Sequence, residues 1–151
     1  MVCLGTVKFH SLCYGKWYPA ECILHKDSED DEQGREYDLV FACDLFAYIG
    51  DLRKMFCTVR KSLERKGGNF AFSAEIVNEC DESKDDEVDP GFVLQPCARF
   101  AHKCWYIRSL AQEFGFEILS LTGSTVLRQH SGKDVLGALV VLSLPATSQE
   151  V

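Results

Sequence analysis

Between Leu39 and Ala74 two apolar runs bracket an amphipathic one, and this alternation restricts the fold more than any other feature of the chain. Leu39 to Ala42 is a short unbroken apolar run, the pattern of a strand buried on both faces, and it ends at Cys43 and Asp44. Asp51 can cap a helix in which Leu52, Met55, Phe56, Val59 and Leu63 recur at helical spacing, leaving Arg53, Lys54, Arg60 and Lys61 outside. Gly67 and Gly68 stop that helix, and Asn69 to Ala74 reads as a second buried strand. Strand, helix, strand at this spacing is a parallel crossover, right-handed by default, and it places the chain in the α/β class.

Downstream, a long acidic excursion with Pro90 and Gly91 leads into FVLQPCARFAHKCWYIRSLAQEFGF. There Ile107, Leu110, Ala111 and Phe114 form the apolar face of a second helix, which Gly115 ends. Phe116 to Leu121 and Val135 to Leu144 follow as two β-rich runs, joined through TGSTVLRQHSGKD with a turn at Ser131 to Lys133. The last strand therefore enters antiparallel, unlike the close of an ordinary dinucleotide-binding sheet. That disfavours a nicotinamide-type fragment.

The formal charge of -7 is local: two short runs, 27–32 and 79–89, hold five and seven of the 23 acids and read as solvated loops. No basic, aromatic-interleaved stripe suggests nucleic acid. The eight cysteines include no C-x-x-C pair, and no His pair stands at finger spacing, so reduced thiols in a cytoplasmic setting and no metal are expected. No apolar run is long enough for a membrane span or a leader.

A mostly parallel sheet that ends in an antiparallel hairpin resembles the C-terminal half of a class I S-adenosylmethionine-dependent methyltransferase. Three segments carry the likeness: YDLVFACDLFAYIGDL, LERKGGNFAFSAE, which resembles an L-x-x-G-G-x-x-x-x-S strand start, and GFVLQPCARFAHKCWYIRSLAQEFGFEIL. Together they are most similar to the methyltransferases often fused to tetratricopeptide repeats. The resemblance covers 37–144, between an atypical N-terminal segment with an acidic loop (1–36) and a tail (145–151). It implies a partial Rossmann-like sheet and transfer of a methyl group from S-adenosylmethionine to a small-molecule or protein acceptor. It also exposes a difference. Such enzymes open with a Gly-rich loop, usually containing G-x-G, and this sequence has no G-x-G. Thirty-six residues before Tyr37 are too few for the family's first three strands and their helices, so the isolated chain is expected to bind the cofactor weakly or not at all.

Ligands of open α/β sheets sit outside the carboxyl ends of the strands. The resemblance puts Ala42, Cys43 and Asp44 there, on the methionine side of the cofactor, with Tyr48 covering it. Small residues admit the ligand, and a carboxylate lowers the desolvation cost of a sulfonium. Asp44 could equally turn the chain before Asp51, and Tyr48 could simply pack. On the acceptor side, Gln95 is a substrate contact, and Arg99, His102 and Tyr106 are catalytic candidates. Spaced three and four apart, these three share one face if helical, with His102 the base near neutral pH or else a packed ring. Glu21 is a faint match to an acid on the adenine side. The rival function is a non-catalytic interaction module. In it Leu39, Phe41, Phe70 and Phe72 lie at an exposed sheet edge that a partner chain or self-association covers.

Overall fold

In the computed structural model, residues 2–4, 37–63, 66–77 and 89–146 are described. Five strands form the main sheet: β1 (Val2–Leu4), β2 (Leu39–Ala42), β3 (Gly68–Glu75), β6 (Glu117–His130) and β7 (Lys133–Leu144). Their spatial order is β1-β2-β3-β7-β6. The first three are parallel, whereas β7 is antiparallel to β3 and β6 antiparallel to β7. The pairing expected of the runs around Leu39, Phe70, Ile118 and Val140 is thus the pairing observed.

Helix α1 (Arg53–Leu63) connects β2 to β3, and α2 (Cys104–Glu113) precedes β6. Both lie on one face of the sheet. Val40, Ala42, Phe70, Phe72, Ala74, Ala138, Val140, Leu142 and Leu144 alternate along their strands and join Met55, Phe56, Val59, Ile107 and Leu110 in one buried cluster. Each of the five apolar positions assigned to α1 is buried. Gly115 ends α2 as expected, at φ 73°, and the N–H groups of Gly115 and Phe116 donate to the carbonyls of Gln112 and Ala111. That is a Schellman closure, which satisfies two of the helix's terminal carbonyls.

Three expectations need correction. The helical arrangement that would bring Arg99, His102 and Tyr106 onto one face does not form at Phe92 to His102. That stretch forms a separate two-stranded sheet, β4 (Phe92–Leu94) against β5 (Phe100–His102), before α2 starts at Cys104. Pro96 disfavours helical backbone at Gln95, and Ala98 turns the chain at φ 58°, so Gln95 N–H donates to the Arg99 carbonyl at 2.8 Å. Arg99, His102 and Tyr106 consequently share no helix face.

The stretch read as a connection between the last two strands is itself strand as far as His130. The reversal is confined to Ser131 and Gly132, both at positive φ (50° and 75°), a two-residue turn whose twist matches the flanking strands. Lastly, β2 is not an edge. The backbone of Val2–Leu4 pairs with it, and Phe70 and Phe72 lie in the core. What β2 leaves open is a face: Phe41 is 38% and Leu139 46% exposed on the side of the sheet away from α1 and α2. No helix among the described residues is long and apolar enough to cross a membrane.

Candidate functional site

The C-terminal ends of β2 and β3 carry the densest set of charged contacts among the described residues. Past Ala42 the chain turns at Asp44, whose φ of 53° is a conformation that Asp and Asn tolerate better than most side chains. Its N–H donates to the Ser73 hydroxyl at 3.0 Å, fixing the turn to the neighbouring strand. Two residues beyond Ser73, β3 ends in Glu75, a carboxylate only 2% exposed.

Arg99 joins these two ends. It sits in the β4–β5 turn, and its guanidinium reaches three partners: Nε donates to Glu75 Oε1 at 2.7 Å, Nη1 to the Tyr48 hydroxyl at 2.9 Å, and Nη2 to Asp44 Oδ1. Its central carbon lies 4.8 Å from the centroid of the Tyr48 ring, within cation–π range. Arg128, from β6, donates a second Nε–H to the same Glu75 Oε1 at 2.8 Å. Burial alone would lower the Arg99 pKa, but the hydrogen bonds and charges of Asp44 and Glu75 outweigh it and raise it. Glu75 Oε2 is buried and accepts no hydrogen bond among the described residues.

The candidates named from the sequence divide. Arg99, Asp44 and Tyr48 come together as described. Ala42 points into the core and is fully buried; Cys43 is half-buried, and burial pushes its thiol upward in pKa, against the hydrogen bond with Ser73. Gln95 accepts a hydrogen bond from Cys97 Sγ at 3.4 Å within the hairpin turn. His102 is fully buried in β5, its Nε2 lying 3.0 Å from the carbonyl oxygens of both Ile49 and Gly50. Those acceptors require the proton on Nε2, which leaves Nδ1 as the lone-pair nitrogen, buried and without a partner among the described residues. Tyr106 stacks on that ring, donates to Asp51 Oδ1 at 3.0 Å and accepts the Leu52 N–H at 3.0 Å. Burial, with Asp51 adding to it, pushes its hydroxyl up to about 12. His102 and Tyr106 thus hold the Ile49–Leu52 backbone that connects Tyr48 to α1. Gly91, at φ 84°, lets the hairpin lie against α2, since a Cβ there would stand 2.5 Å from Tyr106 Cβ.

Glu75 and Arg128 were not singled out by sequence reasoning. Glu75 carried the signal already used for Asp44, an acid directly after a buried strand; Arg128 lay in the stretch read as a connection. Glu21 and most of both acidic runs fall outside the described residues. Among the described residues no group of three or more His, Cys, Asp or Glu side chains could hold a metal ion.

His102 makes stability depend on pH. Burial holds its pKa below the ordinary 6.5, opposed by the Gly50 and Ile49 carbonyls and by the Glu75 charge. A base with a depressed folded pKa binds more protons when unfolded, so its contribution is complete above about 6.5 and is lost as pH falls through the folded value. The melting temperature should therefore decline between pH 7 and 5, and His102→Gln, which keeps a donor but cannot titrate there, should flatten that decline. Equal slopes for the two proteins would assign the acid sensitivity elsewhere.

No family model matches the sequence, and no curated protein matches it. Solved structures do. A methyltransferase dependent on S-adenosylmethionine from Methanosarcina mazei superposes with a TM-score of 0.60 at 14% identity, over 87% of this chain and 68% of that one. A glycopeptide N-methyltransferase gives 0.53 at 16% identity, over 75% and 60%. The magnesium protoporphyrin IX methyltransferase of Synechocystis PCC 6803 gives 0.52 at 12% identity, over 87% and 53%. At these identities the likeness is one of fold. The chain spans between about half and two thirds of the length of these proteins.

Proposed function

We propose that the chain is a methyltransferase-like domain whose ligand crevice lies over the C-terminal ends of β2 and β3. The observation that carries this reading is the cluster of Asp44, Tyr48, Glu75 and Arg99 at those strand ends, on a sheet whose fold matches S-adenosylmethionine-dependent methyltransferases. S-adenosylmethionine, when bound, supplies an electrophilic methyl group on a sulfonium, destined for a small-molecule or protein acceptor. The described residues fit one side of such a ligand. Asp44 offers a carboxylate whose side chain is 61% exposed and whose Oδ2 is free of Arg99, and Tyr48 offers an exposed ring beside it. No Gly-rich backbone cradle stands among them, so weak binding is the expectation for this chain alone.

In this reading Arg99 orients Asp44 and Tyr48, while His102 and Tyr106 position the backbone that carries Tyr48. The test is an amide NMR titration of the 151-residue chain with S-adenosylmethionine. Shifts should concentrate at Cys43, Asp44 and Ser73. Asp44→Asn, which keeps the left-handed turn and removes the charge, should weaken binding roughly tenfold, the equivalent of ~1.4 kcal/mol. Perturbations confined to other parts of the sheet, or an unchanged affinity in Asp44→Asn, would remove the assignment.

A second reading, a non-catalytic interaction module, is favoured by the partly exposed sheet face opposite α1 and α2. Phe41, Ala71 and Val141 are cross-strand neighbours there, with Leu139 one row on, and none is covered by α1 or α2. Sedimentation of wild type and of a Phe41→Ser/Leu139→Ser variant tests it for self-association: a concentration-dependent mass confined to wild type would support the module, and two monomers would count against it.

A further inference from the structure

The three walls around the Arg99 guanidinium form a recognition site that already has an occupant of known chemistry. Asp44 Oδ1 and Glu75 Oε1 accept from two of its nitrogens, the Tyr48 hydroxyl accepts from the third, and the Tyr48 ring lies beneath its central carbon. Planar donors meeting two carboxylates and an aromatic face is the arrangement that distinguishes a guanidinium from an ammonium. Glu75 Oε2, buried and unpartnered among the described residues, leaves this seat with one acceptor more than the donors of those residues use.

We infer that Asp44, Tyr48 and Glu75 form a guanidinium-binding seat, that Arg99 fills it in cis as a pseudo-ligand, and that an arginine side chain of another molecule takes it when Arg99 swings out. Two features make the exchange feasible. Arg99 sits in the β4–β5 turn, at the end of the hairpin opposite the His102–Ile76 bridge that ties β5 to the residue after β3, and Val93 and Leu94 beside that turn are exposed. Departure of Arg99 does not orphan Glu75, because Arg128 keeps its own 2.8 Å hydrogen bond to the same oxygen. Two walls also face solvent, since the side chain of Asp44 and the residue Tyr48 are each 61% exposed. A competitor must overcome the local concentration of a tethered group, about millimolar for a short flexible tether and higher where the tether is ordered. The resting state is therefore closed. The inference stands whether or not a methyl donor binds nearby.

The full chain is titrated with N-acetylarginine amide, with the citrulline analogue as neutral isostere and butylammonium as a compact cation. Arg99→Ala should bind the arginine probe at least tenfold more tightly than wild type does, with citrulline and butylammonium weaker. Adding Asp44→Asn in that background should cost a further tenfold. In wild type, the Nε–H resonance of Arg99 should move toward that of a solvated arginine as the probe is raised well beyond millimolar. This last measurement needs no substitution, so it decides the matter even if Arg99→Ala does not fold. An Nε–H resonance that stays in place throughout would overturn the inference, including when Arg99→Ala binds the probe, because the cluster would then be a fixed ion pair whose variant merely contains a hole. Equal binding of citrulline and arginine probes would overturn it too.

Discussion

Phe56→Ala is expected to lose about 3–5 kcal/mol of folding stability, a large part of the ~5–15 kcal/mol typical of a domain this size. Phe56 is fully buried and is the one α1 side chain whose ring meets four others: Phe70 at 5.6 Å between centroids, Phe72 at 6.0 Å, Phe114 at 6.0 Å and Phe116 at 5.9 Å. These partners come from β3 and from the end of α2, so the ring joins the two helices to the sheet. Truncation removes apolar burial and several edge-to-face contacts at once, and four neighbouring rings anchored in separate elements cannot all collapse into the space. Phe56→Leu, which keeps most of the volume, should cost less than half as much. Urea denaturation gives the comparison directly, with a lower midpoint and an unchanged slope expected. A loss below about 1 kcal/mol for the alanine variant would mean that the aromatic cluster adjusts far more easily than a close-packed core should.

The parts of this fold legible in the sequence are those in which a local pattern coincides with a tertiary role. Leu39 to Ala42 is a strand inside the sheet, as its apolar run suggests. Only the Val40 and Ala42 face is buried, however, and Phe41 on the other face is exposed, so burial on both faces was not there to be read. The spacing of Met55, Phe56, Val59 and Leu63 reads as a helix because a single face of α1 meets the core. The β4–β5 hairpin was not legible, since two strands of three residues carry too few alternations to outweigh the helical spacing of Arg99, His102 and Tyr106. That same arithmetic picked Arg99 for a reason the structure does not uphold. What places Arg99 beside Asp44 is a turn at Ala98 that swings the hairpin over the strand ends, a contact spanning 55 positions in sequence. Burial was equally out of reach. His102 has the chemistry of a base, and only the packing of Phe92, Tyr106 and the Ile49–Gly50 carbonyls around its ring shows that it positions backbone.

Removing Arg99 and Arg128 together is expected to cost far more than the two single losses combined. Both guanidiniums donate to Glu75 Oε1, so after either single change the carboxylate keeps a charge-assisted hydrogen bond, and the loss should be about 1 kcal/mol, partly screened because both side chains reach solvent. The double variant leaves a carboxylate that is 2% exposed, with Oε2 already lacking a partner, and no cation against it. Stranding a buried charge in this way costs about 3–5 kcal/mol. The excess over additivity is then the signature of a shared acceptor, whereas independent contacts would sum. Changing Glu75 to Gln within the double variant removes the stranded charge and should recover most of the loss, although the same substitution in the wild-type background destabilises by removing the charge that both guanidiniums share. A change that harms one background and repairs another reports the charge at residue 75, because Glu and Gln are nearly the same size. Chemical denaturation of the two arginine singles, Glu75→Gln alone, the double and the triple variant measures every term. If the double equals the sum of the singles and Gln at 75 repairs nothing, Glu75 is not the common anchor that holds the two hairpins to the end of β3.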